Sequence, residues 1–170
     1  ALGYAALKAV EIPEKSSAGK LLAELRQFAI FSPDTATLRG LDTDPQTREP
    51  LGLNGGRLAE AVDEVFRSKR ARTPYTKEMF DDVMALIGWA AGMGSSGPSA
   101  VPVSPSIPQA KRVLRFTDKY MNEGRNRLSA YDASEGALYV LFMMALVHHR
   151  DSPPILAVDN FDHALNPRLA

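Results

Sequence analysis

The sequence contains no cysteine and carries no net charge. None of its 170 residues is Cys, and 20 acidic residues balance 20 basic ones. Without thiols the chain forms no disulfide framework and offers no thiolate to a metal, as is usual in a reducing cytoplasm. A balanced charge gives no general attraction to the phosphate backbone of nucleic acids. The composition therefore argues against a disulfide-stapled scaffold and against a basic nucleic-acid-binding domain.

Long apolar runs are also missing. No apolar stretch is long enough for a membrane-spanning helix, and no signal peptide opens the chain. Apolar residues still make up 45% of the sequence, which is typical of a globular domain with its own core. The chain begins at Ala1 without Met and ends at Ala170. We therefore expect it to be part of a longer cytoplasmic protein with no membrane partner.

A phosphate-binding P-loop is not found either. The pair Gly19–Lys20 invites that interpretation, but the pattern around it does not fit. Glu14 occupies the position of the first glycine, and Leu21 stands where Ser or Thr would bind magnesium. The half of a nucleotide site that cradles the phosphates is therefore not predicted from these residues.

Periodicity predicts helices in the first half of the chain and a hairpin later. The predicted helices are Leu21 to Phe28 with a cap at Ser16 or Ser17, Arg57 to Arg67, and Lys77 to Ala90 with a cap at Thr76. Gly92 to Pro108 is rich in Gly, Ser and Pro, which predicts a loop. Lys111 to Met121 and Arg127 to Tyr131 are predicted to pair as strands. Residues 1–14 fit a strand or a short helix equally well.

The most informative stretch runs from Leu128 to Arg168. Ser134-Glu135-Gly136 opens a helix, Ala137 to about His149, that is apolar nearly all round, which predicts burial. A Pro-Pro pair breaks this helix. Ile155 to Val158 follows and is apolar on both faces, which predicts a central, buried strand in a mainly parallel sheet.

The start of the helix and the end of the strand are suited to a phosphate and a metal. Asp132 and Ser134 are both good N-caps, and Asp132 to Glu135 has the spacing of a capping box. The first N–H groups of a helix lack intrahelical partners, and Gly136 allows a ligand to approach them closely. Ser134 is therefore either a phosphate contact or only an N-cap. Asp159, at the carboxyl end of the strand, is either a ligand of a metal–nucleotide or only a cap.

In this order the motifs resemble the C-terminal half of an ABC-type ATPase head, of the SMC/RecF-like and AAA type found in single-chain bacterial ATPases. Ala133 to Ala137 is similar to the signature motif, commonly Leu-Ser-x-Gly, and Ile155 to Asp159 is similar to the Walker B strand. Asp162 to Pro167 is similar to the loop that follows, Glu-x-x-Leu-His-Pro in the family. A fainter likeness covers "FSPDTATLRG" and "LGLNGGRLAEAV", which resemble the segment between the two halves of these ATPases.

The resemblance implies an α/β fold with a mainly parallel sheet flanked by helices, plus a helical insertion. Residues 111–170 would form the signature-helix and Walker B lobe, and residues 1–110 the helical and loop insertion of the head. It also implies ATP and Mg²⁺ as ligands. Ser134, Glu135 and Gly136 would contact the ATP of a second copy, and Asp159 would hold the metal. The implied partners are that second copy and a P-loop half of the same protein.

One position departs from the family pattern. The family usually carries Asp-Glu at the end of the Walker B strand, and the Glu orients or activates water, whereas this chain has Asp159-Asn160. Because an amide cannot accept a proton, we expect either slow hydrolysis or a displaced base at Asp162. His163 is a candidate for contact across the dimer or with the γ-phosphate.

Two functions follow from these motifs. The first is an ATPase head that dimerises around ATP in DNA repair or phage defence, with DNA or an effector protein as a further partner. The second is a degenerate head that binds nucleotide, or only a partner, and acts as a scaffold. Asn160 favours the second function, whereas Ser134 and Asp159 favour the first. The pair His148-His149 has no partner at metal-ligand spacing, so the dipole at a helix C-terminus accounts for it.

Overall fold

The computed structural model describes residues 12–67, 74–98 and 111–161. Over these ranges the chain forms five helices, one small parallel sheet of two strands and one antiparallel sheet of three strands, which confirms the α/β class. The helices are α1 (Ser17–Leu25), α2 (Thr35–Leu38), α3 (Leu58–Arg67), α4 (Pro74–Leu86) and α5 (Glu135–His148). The strands are β1 (Ala29–Phe31), β2 (Ala90–Ser96), β3 (Val113–Asp118), β4 (Arg127–Ser129) and β5 (Leu156–Val158). Within the described ranges, no helix is long and apolar enough to cross a membrane.

The described residues divide into a smaller unit, residues 12–29 with 153–157, and a larger unit that holds the rest of them. In the described part of the smaller unit, the Ser16 side chain caps α1 by accepting from the backbone N–H of Gly19 at 3.0 Å. Gly19 and Lys20 thus lie in the first turns of an ordinary capped helix. In the same unit the N–H of Ala29 donates to the carbonyl of Ile155 at 3.1 Å, which begins the pairing of β1 with β5.

The core of the larger unit is built around α5. Leu138, Leu141 and Phe142 are fully buried, and α3 packs along the same helix. Phe31 meets Phe142 edge to face, with ring centroids 6.1 Å apart. Most side chains of α5 are buried, which explains why α5 lacks the polar face of an ordinary surface helix. The predicted buried helix is therefore confirmed.

The antiparallel sheet has the order β2-β3-β4. β3 pairs with β4 through Phe116 opposite Leu128, so the predicted hairpin is confirmed. The predicted loop over Gly92 to Pro108 is wrong at its start, because residues 92–96 lie in β2 and pair with β3. Small Gly and Ser residues have low strand propensity, and here the ladder to β3 determines the conformation. Residues 99–108 of that prediction lie outside the described ranges.

Helices α1 and α4 differ from their predicted bounds. α1 begins at Ser17 and ends at Leu25, so Phe28 lies outside it. The predicted helix over residues 77–90 begins earlier, at Pro74, and ends at Leu86, so Thr76 lies inside α4 and is not its cap. Proline is favoured in the first turn of a helix because its missing N–H would have no partner there. α2 was not predicted; it is a single turn that begins where the Asp34 side chain accepts from the N–H of Thr37 at 2.9 Å.

The Walker B-like run forms a strand but not a buried one. β5 pairs in parallel with β1, so the predicted strand is confirmed. Ile155 remains 39% exposed and Leu156 36% exposed. The prediction of a central, buried position is therefore wrong for the described chain, because β1 is the only neighbour that β5 has in those ranges. A mainly parallel sheet was also predicted. In the described ranges only β1 and β5 are parallel, and the larger sheet, β2-β3-β4, is antiparallel.

Candidate functional site

Ser134 caps α5. Its backbone is extended (φ −61°, ψ 144°), and its Oγ accepts from the N–H of Ala137 at 3.4 Å, so this prediction is confirmed. The predicted capping box is wrong. The carboxylate of Asp132 instead accepts from the N–H and the Oγ of Ser129, at 3.1 and 2.9 Å, and closes the turn before the helix. Ser134 and Glu135 are exposed, so this helix N-terminus faces solvent.

Three side chains from distant parts of the sequence hold this turn. The Thr35 hydroxyl donates to the Glu135 carboxylate, and the Arg39 guanidinium donates from Nη2 to the carbonyl of Ala133 at 3.1 Å. The indole N–H of Trp89 donates to the Oγ of Ser134 at 3.4 Å. Sequence reasoning assigned none of these contacts, because the partners lie 45 to 100 positions apart. The only signal was the fainter likeness over the segment that contains Thr35 and Arg39.

Tyr139 fixes the segment before α2 to the same helix. Its hydroxyl donates to the carbonyl of Pro33 at 2.9 Å, and its ring is buried. Burial, with smaller contributions from the charges of Glu135 and Asp34, raises the pKa of Tyr139 above its usual value near 10, although Thr35 lowers it in part. Burial likewise raises the pKa of Tyr131, in the turn before α5. The phenol of Tyr139 therefore keeps its proton and its hydrogen bond to a higher pH than an ordinary tyrosine would.

The end of β5 presents Asp159 and Asn160 to solvent. The N–H of Asp159 donates to the carbonyl of Phe31 at 2.8 Å, which ends the pairing of β5 with β1. The Asp159 carboxylate accepts from the N–H of Asn160 at 2.9 Å. Asn160 has a left-handed backbone conformation, with φ at 55°. Asn adopts this conformation more readily than most residues, which gives a structural reason for its presence here.

The described residues offer no preformed cluster of metal ligands. Within those ranges no group of three or more His, Asp or Glu side chains is placed to hold a metal ion. A magnesium–nucleotide needs only one or two carboxylates from a protein, because phosphates and waters complete its shell. The exposed Asp159 fits that modest requirement. His149 serves a structural purpose: its Nδ1 accepts from the N–H of Asp151 at 3.1 Å, so Nε2 carries the proton toward Glu64 at 2.8 Å.

The predicted site residues fall into two groups. Ser134, Glu135 and Gly136 form the N-terminus of α5, with Thr35, Arg39 and Trp89 around them. Asp159 and Asn160 form the turn after β5. No hydrogen bond or ion pair found among the described residues joins the two groups. Asp162 and His163 lie outside the described ranges.

Neither a protein-family model nor a curated protein nor a solved structure matches the chain.

Proposed function

We propose that the chain is the signature-helix and Walker B part of an ABC-type ATPase head, SMC/RecF-like, which dimerises around ATP in the cytoplasm. One observation carries the proposal: a buried helix has an exposed, Ser134-capped N-terminus and is followed by a short parallel strand that ends at an exposed Asp159. The two chemistries that a nucleotide site needs thus stand in the order that the resemblance requires.

The N-terminus of α5 supports an anion contact in three ways. Helix geometry leaves its first N–H groups without intrahelical acceptors, and the helix dipole favours negative charge there. The Arg39 guanidinium, bound to the carbonyl of Ala133, brings a positive charge next to the turn. Exposure of Ser134 and Glu135 leaves the turn open to a second molecule. In the proposed dimer, the Ser134 hydroxyl and the backbone N–H groups of Glu135 and Gly136 donate to the γ-phosphate of the ATP bound to the other copy.

Asp159 supports the metal end of the site. Its backbone is tied to β1 through Phe31, so the carboxylate stands at a fixed place at the strand end. Bound Mg²⁺ supplies neutralisation of charge on the transferring phosphoryl group. Asp159 would hold the metal's water shell, and Asn160 would orient the attacking water by hydrogen bonding without removing its proton. Two alternatives then remain for the proton: hydrolysis is slow because no base receives it, or the base is displaced to Asp162. His163 would be a further contact.

The proposal must account for the exposure of Ile155 and Leu156, which a buried Walker B strand would not show. A Walker B strand has neighbours on both sides, whereas β5 has only β1 in the described chain. The proposal therefore requires the P-loop half of the same protein to pair with β5 and cover these side chains. If those side chains remain exposed in the full-length protein, the ATPase proposal fails.

A scaffold function is the second candidate, and the backbone of Asn160 favours it. A neutral residue in a left-handed turn is fully explained by conformation, without any part in hydrolysis. In that case the head would bind nucleotide, DNA or an effector protein and would turn over slowly or not at all. DNA repair and phage defence are the processes that the resemblance suggests for either candidate.

The test uses two substitutions of the same cap in the full-length protein. Asp and Asn both cap helices as well as Ser does, so Ser134→Asp and Ser134→Asn both preserve α5. Only Asp adds a negative charge where a phosphate would bind, and like charges a few ångströms apart near a surface repel by several kcal/mol. We expect Ser134→Asp to weaken ATP-dependent dimerisation at least about tenfold in sedimentation velocity, while Ser134→Asn stays near the wild type. Equal dimerisation of both variants would overturn the proposal.

A further inference from the structure

An open apolar groove of about 510 Å³ lies between α4 and α5 in the larger unit. Helix α4 contributes a stripe of apolar side chains on successive turns, Met79, Val83 and Leu86. Helix α5 faces them with a second stripe, Val140, Met143 and Val147. Two parallel apolar stripes separated by a gap have the form that receives a third helix.

The groove is not an ordinary part of the core. Leu86 is 51% exposed and Val147 66% exposed, although both are large and apolar. Met79 and Val83 are buried, whereas Met143 is half-buried, and its flexible thioether adapts to the shape of a bound surface. Exposed apolar side chains that line one continuous groove are typical of an interaction surface, whereas scattered ones are not.

The charge of the groove identifies the chemistry of its occupant. The titratable side chains of the described lining are His148 and two carboxylates, Glu78 and Asp82, which are exposed and one turn apart on α4. The described lining contains no Lys or Arg. A basic partner would therefore find complementary charge at the edge of an apolar surface. A second copy of this chain that used the same groove would bring no Lys or Arg from its described lining to Glu78 and Asp82, so a groove-to-groove contact lacks the complementary charge.

We propose that this groove binds an amphipathic helix of a partner protein, with an apolar face in the groove and Lys or Arg residues against Glu78 and Asp82. The α4 side of the groove spans residues 78 to 86, about 12 Å of helix. A bound helix of two to three turns therefore covers it, with apolar anchors at positions i, i+3 or i+4, and i+7. This docking site does not depend on the nucleotide site.

A defined peptide tests the proposal on the full chain without nucleotide. The probe is a fluorescently labelled 14-residue peptide of Leu and Lys, with Leu at i, i+3, i+4 and i+7 of a helix. Its control has the same Leu pattern and Glu in place of Lys. Binding is measured by fluorescence anisotropy at low and high salt, because charge pairs at a rim weaken as salt rises. We expect saturable binding of the Lys peptide only, weakened several-fold by high salt.

Matched variants locate the binding. Leu86→Lys places a charge in the apolar groove, and its control Met121→Lys changes a side chain of similar exposure, 49%, on a different surface. Asp82→Lys reverses the rim, and its control Asp81→Lys reverses the adjacent exposed residue of α4, which does not line the groove. We expect Leu86→Lys and Asp82→Lys each to weaken peptide binding at least tenfold and both controls to leave it within twofold.

Three outcomes would overturn the proposal. One is equal binding of the Lys peptide to all four variants, which would show a general attraction. Another is absence of saturable binding to a wild-type chain whose circular dichroism shows it to be folded; a groove occupied by the chain's own residues would give this result. The last is a dimer in sedimentation that Leu86→Lys dissociates, which would make a second copy the occupant.

Discussion

Four backbone N–H groups of one loop donate to a single carboxylate, that of Asp44. The donors are Gln46, Leu53, Asn54 and Gly56, at 2.9 to 3.2 Å. The loop leads into α3, so this one side chain fixes how the chain enters the helix. Gly52 has a φ of 81°, and a Cβ there would collide with the Asp44 carboxylate. The carboxylate thus replaces the backbone partners that a segment without regular structure cannot supply.

Asp44→Ala is expected to lower the free energy of unfolding by at least about 2 kcal/mol, because several N–H groups lose a charged acceptor together. Asp44→Asn keeps one acceptor oxygen and is expected to lose less. The control is Asp42→Ala, since the exposed Asp42 accepts only from the neighbouring N–H of Thr43. Urea unfolding followed by circular dichroism measures all three variants. If Asp42→Ala is as damaging as Asp44→Ala, the loop does not depend on this carboxylate.

The raised pKa of Tyr139 predicts a loss of stability in alkali. The unfolded tyrosine ionises near pH 10, while the folded one keeps its proton to a higher pH because it is buried. The stabilisation is therefore fully present below about pH 10 and is lost as pH rises through the folded pKa. Tyr139→Phe is expected to be about 1 kcal/mol less stable at pH 7, because the Pro33 carbonyl loses its donor, and less sensitive to alkali.

Urea midpoints at pH 8 and pH 10.5 check this expectation. Tyr120→Phe is the control, because Tyr120 is exposed and lies outside the core. The midpoint of the wild type should fall between the two pH values by more than that of Tyr139→Phe. An equal fall in both would show that other groups, such as Tyr131, carry the alkaline sensitivity.

At the scale of elements, one carboxylate joins α3 to the antiparallel sheet. Asp63 Oδ1 accepts from the Ser95 hydroxyl of β2 at 2.7 Å and from the Arg112 guanidinium at 2.7 Å, just before β3. The Asp63 side chain is only 15% exposed. The same oxygen also meets Arg67 at 2.8 Å, but that side chain is 67% exposed. Because three side chains donate to this one oxygen, Asp63 is the central residue of the contact between α3 and the antiparallel sheet.

Asp63→Ala is therefore expected to lower the free energy of unfolding by about 2 kcal/mol, since Arg112 and Ser95 lose their acceptor where water is scarce. Arg67→Ala is the matched control and should change stability by less than about 0.5 kcal/mol, because an exposed i,i+4 ion pair contributes little. Thermal or urea unfolding of both variants gives the comparison. If Arg67→Ala lowers the free energy of unfolding as much as Asp63→Ala does, the contact of Asp63 with the antiparallel sheet is not the source of the stabilisation.

Elements with a strong local pattern were predictable, and elements made by distant pairing were not. The long apolar run of α5 and the alternation of β3 appear in the sequence itself. β2 was missed because its Gly and Ser residues favour no strand, and only the ladder to β3 makes it one. The burial of Ile155 to Val158 was predicted wrongly, because burial requires neighbouring chain on both sides, whereas strand formation needs only one partner.

The candidate site divides in the same way. Ser134 as a cap and Asp159 at a strand end followed from local chemistry. The contacts of Thr35, Arg39 and Trp89 with the turn depend on how distant segments pack, so no spacing rule reveals them. The conformation of Asn160 was also hidden, because a substitution in a family motif has a chemical and a conformational interpretation that sequence alone does not separate.

At the scale of the whole molecule, the two groups of candidate residues both face solvent, which suits a site completed by another molecule. A phosphate contact at Ser134 and a metal contact at Asp159 serve different nucleotides if each ATP lies between two heads. Turnover is then a property of the dimer, and the group that receives the proton from water sets its rate. Because Asn160 cannot be that group, we expect slow turnover and long-lived ATP-bound dimers.

Substitutions of Asn160 in the full-length protein separate chemistry from conformation. Asn160→Glu supplies a base and is expected to raise single-turnover ATP hydrolysis at least about tenfold, since a positioned base typically contributes ~10²–10⁴-fold. It should also lower stability by about 1 kcal/mol, because Glu is strained at a positive φ.

Asn160→Asp adds a carboxylate with less strain, and Asn160→Gly relieves strain without adding a base. Hydrolysis should therefore rise with Asp and Glu and stay unchanged with Gly. If Asp162→Asn abolishes hydrolysis while none of the Asn160 variants changes it, Asp162 is the base and Asn160 is only a turn residue.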